Sequence, residues 1–129
     1  MKFSLNNLSD IKKYTNVLQD RIKYVKRDYA YSLWHNLYTS TPKRTGAAAA
    51  SWNVSLDTPN YSFDPTKTSN SFSLTITNID SKVFLATGCP YMNRLNYGWS
   101  EQAPANFIER CITISNQELP QIINKYKGN

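Results

Sequence analysis

The chain has 129 residues, 40% of them hydrophobic, and a formal charge of +6. That is one domain's length, with enough apolar residues for a single core, which excludes a disordered chain. No apolar run approaches the ~20 residues of a membrane span, and MKFSLNNLSD has only scattered apolar residues, so it does not read as a signal peptide and cytoplasmic synthesis is expected.

The charge is unevenly placed. Residues 1–46 carry nine basic residues (Lys2, Lys12, Lys13, Arg21, Lys23, Lys26, Arg27, Lys43 and Arg44) against Asp10, Asp20 and Asp28. The remainder has six of each sign, so the whole excess lies in the first third. Such asymmetry points to a polyanion or an acidic partner, against the blander reading of a solvated helix face. Two cysteines, Cys89 and Cys111, are too few for a disulfide framework, and reduced thiols are expected.

In chain order, Ile11, Tyr14, Leu18, Ile22, Val25, Tyr29, Leu33 and Leu37 recur at steps of three and four. That spacing predicts a helix of about seven turns, capped at Ser9 or Asp10 and ended by Thr39–Pro42. A single apolar stripe of that length needs a sheet or a neighbouring subunit to lie on. TPKRTGAAAASW (41–52) then reads as a turn, with Thr45 able to cap a short helical turn through Ala47–Ala50. Four small residues in a row suit a tight packing corner, and Gly46 alone makes no phosphate-binding loop.

The period then changes to two. Trp52, Val54 and Leu56 share one face, as do Phe72, Leu74 and Ile76, and SKVFLA (81–86) is a third candidate strand. The polar loop 57–70, with Pro59 and Pro65, is expected to project. Pro104 can sit in the first turn of a second helix that continues through Phe107, Ile108, Cys111, Ile112, Ser115, Leu119, Ile122 and Tyr126. Pro120 should kink or split that helix, and the β-branched ITIS (112–115) leaves a strand open there. The order helix, strands, helix predicts one α+β domain over residues 1–129: a long N-terminal and a C-terminal helix packed on a small antiparallel β-sheet.

No catalytic, cofactor or metal set is expected. His35 is the only histidine, and it pairs with Cys89 only in imagination, with no orienting third group at a known spacing. One His and two distant Cys make a poor metal site, and Glu101 and Glu109 lack a carboxylate partner. The aromatics are more telling. YMNRLNYGWSEQAP (91–104) holds two Tyr, a Trp, a Met and an Arg, residue types enriched at protein interfaces. The interface candidates are therefore Tyr91, Arg94, Leu95, Tyr97, Trp99 and Gln102.

Two of these segments resemble one family. Thr41-Pro42-Lys43-Arg44-Thr45-Gly46, running to Ser51-Trp52, is similar to a segment of phage neck proteins, the tail-completion or head–tail joining proteins of tailed bacteriophages. Tyr91, Leu95-Asn96-Tyr97-Gly98 and Gln102-Ala103-Pro104 resemble a later segment of the same family, placed before its C-terminal helix. Arg44 and Asn96 depart from it, since the family often carries acidic residues at both places. The resemblance implies a non-enzymatic virion protein at the head–tail junction, assembled in the host cytoplasm. It would form a ring of sixfold or twelvefold symmetry, between portal- or adaptor-side and tail-side proteins and around the DNA channel, without a membrane. Lys12, Lys23, Lys26, Arg27, Lys43 and Arg44 would then face packaged DNA non-specifically or an acidic protein ring. The alternative is a free nucleic-acid-binding protein using the basic helix with Tyr14, Tyr24 and Tyr31. A small cysteine hydrolase resting on Cys89 and His35 is a distant third.

Overall fold

The computed structural model describes residues 8–98 and 106–127. Four helices and two strands follow in the order α1 (Leu8–Ser40), α2 (Ala47–Ala50), β1 (Asn53–Leu56), β2 (Val83–Ala86), α3 (Met92–Asn96) and α4 (Phe107–Lys125). The fold is α+β, with the two long helices and a small antiparallel sheet expected from the sequence. No helix among the described residues is long and apolar enough to cross a membrane.

The 33 residues of α1 span about 50 Å and form the spine of the molecule. The described helix runs from Leu8, so Ser9 and Asp10 lie within it rather than before it, and their side chains are outside the described set. At the other end, Thr41 turns the chain away. Its amide and its hydroxyl both donate to the Leu37 carbonyl, at 2.9 and 2.6 Å, satisfying a carbonyl the helix end leaves open. The same Thr41 oxygen accepts from Trp52 Nε1 at 2.9 Å, which fixes the first strand's approach to α1.

The corner between them is dense. Ala47–Ala50 are all buried, and Thr45 Oγ1 accepts from the Ala47 amide at 3.2 Å. Gly46 has φ +91, and a Cβ there would lie 2.5 Å from the Thr68 carbonyl oxygen. Both the left-handed backbone and the close approach require glycine. The loop 57–70 is thus not free to project as a whole. Asn53 Nδ2 holds the carbonyls of Asn60 and Ser62, Asn70 Nδ2 holds those of Ala50 and Trp52, and only residues 64–69 form a fully exposed tip.

The sheet has two strands, with Asn53 opposite Ala86 and Leu56 opposite Val83. The expected strand at 71–79 is not one. Its alternation survives as burial, with Phe72 and Leu74 half-buried and Ile76 buried between exposed neighbours. The cause is packing on α1, where the Phe72 ring lies 5.2 Å from Tyr31 and 5.8 Å from Trp34, rather than a hydrogen-bonded ladder.

Helix α4 runs back along α1. Its buried residues are Phe107, Cys111 and Ser115, one face at steps of four, so ITIS lies in the helix and not in a strand. Pro120 does not split it; the helix continues to Lys125. The carbonyl that Pro120 leaves unpaired belongs to the exposed Asn116, where water can take it, and the last turn is held sideways by Tyr126. The α1–α4 seam has a polar centre: Ser115 Oγ accepts from Asn36 Nδ2 at 2.9 Å and meets Ser32 Oγ at 3.2 Å, while Ser32 also donates to Glu118 at 2.5 Å. The apolar core gathers Trp34, Leu37, Ala48, Trp52, Cys89, Met92, Phe107 and Cys111.

Candidate interaction surface

The segment that the sequence singles out is built around α3. Met92 and Asn96 share one face of this short helix, and both are buried. Met92 enters the core, while Asn96 clasps the start of α4. The Asn96 carbonyl accepts from the Asn106 amide at 2.5 Å, and its Oδ1 accepts from the Ile108 amide at 2.9 Å. Its Nδ2 donates to both carboxylate oxygens of Glu109 at 3.0 Å.

This arrangement is an N-cap supplied from another element. Asn106, at the cap position of α4, has φ 65 and makes no side-chain cap. The side chain that satisfies the second amide of the helix comes from residue 96 instead, and Glu109 adds negative charge in the first turn. Sequence reading placed Asn96 only as a departure from a family pattern. The available signal was its position four residues after Met92, where a helix this short should bury an apolar residue if it buries anything.

With that anchor, Tyr91, Arg94 and Tyr97 reach solvent. Tyr97 is 65% exposed, Arg94 is exposed, and Tyr91 is exposed while its ring meets Phe63 edge-on at 6.3 Å. Partial burial, with the Cys89 thiol adding to it, pushes the Tyr91 hydroxyl's pKa up. Leu95 is half-buried against the core. The structure therefore brings together Tyr91, Arg94, Leu95 and Tyr97; Trp99 and Gln102 lie outside the described residues.

The basic candidates separate into two groups. Lys26 and Arg27 are engaged within the molecule. Lys26 Nζ donates to the carbonyls of Ile79 and, at 3.1 Å, of Ser81. Arg27 donates through Nε to Asp28 at 3.1 Å and through Nη2 to the Tyr126 hydroxyl at 3.1 Å. Lys23 lies 4.0 Å from Asp20, and Lys43 reaches back to the Thr39 carbonyl at 3.4 Å and over the Tyr38 ring. Lys12 and Arg44 are exposed. The positive charge is thus partly used to fasten α1 to the 79–81 turn and to the end of α4.

The His35 ring stacks on Tyr31 on the exposed side of α1, whereas Cys89 sits in the core. Cys89 and Cys111 are both buried free thiols, and burial pushes the Cys111 thiol up. Among the described residues, no group of three or more His, Cys, Asp or Glu could hold a metal ion. Comparison of the chain with protein families, with curated proteins and with solved structures finds no match.

Proposed function

We propose that the chain is a structural virion protein forming a ring at the head–tail junction of a tailed phage. One observation carries this reading. The two segments that resemble neck proteins, some 45 residues apart, meet in one core: Ala48 and Trp52 from the first pack in the same cluster as Met92 and Leu95 from the second. From that shared core the second segment displays Tyr91, Arg94 and Tyr97. A ring needs a heterologous contact, one patch meeting a different patch of the next copy, and an aromatic segment on a rigid anchor suits that role. Free nucleic-acid binding is less well supported, because Lys26 and Arg27 are tied to groups of the chain itself.

Quantitative mass spectrometry of particles purified from producing cells tests this directly. A low copy number, near that of the portal or about half of it, is expected. Abundance in the cells with none in particles overturns the reading and moves the basic helix to first place.

A further inference from the structure

The apolar stripe of α1 is longer than the cover it receives. α4 lies along its C-terminal half and ends at Tyr126, beside Tyr24 and Arg27. Beyond that point, among the described side chains of the stripe, Leu18 is 38% and Ile22 44% exposed. The last turn of α4 adds Ile123, 47% exposed. Together with Val25 these side chains line an open groove of about 560 Å³ whose other walls include Arg21, Lys26 and Lys127.

Shape and charge of this groove select an occupant. It prolongs the seam that α4 fills, so an α-helix laid in line with α4 would meet the stripe with the same packing. Every charged residue lining it is basic, and no carboxylate is among them; Lys26 is bonded to the Ile79 and Ser81 carbonyls, so Arg21 and Lys127 are the charges an occupant would meet. We propose that the groove is a docking site for an amphipathic helix of a different protein, with an apolar face flanked by carboxylates. A second copy of this chain is the wrong partner in sign. Its α1 is net basic, with Asp20 beside Lys23 and Asp28 taken up by Arg27, Lys125 and Tyr126. Its α4 carboxylates Glu109 and Glu118 are bonded to Asn96 and Ser32, and Asp57, Asp64 and Asp80 lie in loops. The proposal stands apart from the ring reading, because it needs only the groove.

The test titrates three designed 18-residue peptides against the full chain, followed by fluorescence anisotropy and circular dichroism. One carries Leu at helical spacing with Glu on both flanks, the second has Lys for each Glu, and the third is a scramble of the first. The acidic amphipathic peptide should bind at least about tenfold tighter than either control, gain helicity on binding, and weaken as salt rises. Ile22→Gln and Ile123→Gln, at exposed positions that leave the core intact, should each weaken it by fivefold or more. Arg21→Gln should flatten the salt dependence. Equal binding by the scramble, or no effect of both Ile variants with unchanged melting curves, overturns the proposal. So does self-association that Ile22→Gln abolishes, or tighter binding to phosphatidylglycerol vesicles than to the peptide.

Discussion

Asn96 shows how one polar side chain can hold a surface segment in place. Its amide satisfies the Ile108 amide that a local cap would otherwise take, and it faces Glu109 with its donors. Removing it leaves a helix-end N–H and a carboxylate without their partner at a site where Asn96 itself is buried. Asn96→Ala should therefore lower stability by about 2 kcal/mol, combining a lost cap with lost part-buried hydrogen bonds. For a chain of this size that is a fall of about 6–10 °C in Tm. Asn96→Asp should cost more at pH 7, because two carboxylates then face each other and the donor group is gone. Thermal melts of both variants check the order. If Asp were tolerated as well as Asn, the amide's donor role would be disproved.

At the scale of elements, the ends of α1's covered half and of α4 are joined by a small charged cluster. Asp28 accepts from Arg27 Nε, from the Tyr126 hydroxyl at 2.5 Å, and from Lys125 Nζ at 3.4 Å. Desolvation pushes the Asp28 carboxyl up, but the hydrogen bonds from Tyr126 and Arg27 and the Arg27 charge outweigh it, so its pKa is lowered. A depressed folded-state pKa gives stability that is present above the ordinary carboxylate value, near 3.9, and lost as pH falls through the folded value. The wild-type advantage over Asp28→Asn in urea melts should thus be full at pH 7 and shrink as pH falls below the ordinary carboxylate value. An advantage unchanged across that range would remove the carboxylate's charge from the account. This contact was not legible in the sequence, since Asp28 and Tyr126 are 98 positions apart. What could be read was local periodicity: the long helix, the second helix, the short strands at 53–56 and 83–86, and the small-residue corner. The 71–79 segment misled because period two reports alternating burial, which a helix surface can impose as well as a ladder. The α1 stripe was legible as an apolar face that needs a sheet or a neighbouring subunit to lie on. Spacing does not show how far the chain itself covers that face, and Leu18 and Ile22 are exposed.

For the whole molecule, the two exposed regions have different consequences. The groove beside Leu18 and Ile22 lies toward the N-terminal half of α1. Arg94 sits on α3 and Tyr91 and Tyr97 flank it; α3 packs near Phe107 at the opposite end of α4. A subunit with two separate patches can bind unlike neighbours at once, as a ring between two other layers must. Tyr97 makes the sharper test of the proposed ring contact, because it is 65% exposed and its loss leaves the Met92 and Asn96 anchors untouched. Tyr97→Ala should melt within about 0.5 kcal/mol of the wild type, as expected for an exposed substitution. In particles it should behave otherwise: aromatic anchors at interface centres are worth about 2 kcal/mol or more each, and a closed ring repeats the loss at every contact. On the proposed ring reading, incorporation should fall at least tenfold for Tyr97→Ala, and likewise for Trp99→Ala, while Ile22→Gln should leave incorporation unchanged and weaken binding of the acidic helical peptide. Co-purification of each variant with particles, measured beside its melting curve, separates these outcomes. Normal incorporation of Tyr97→Ala and Trp99→Ala would leave the segment as a surface loop with no part in assembly.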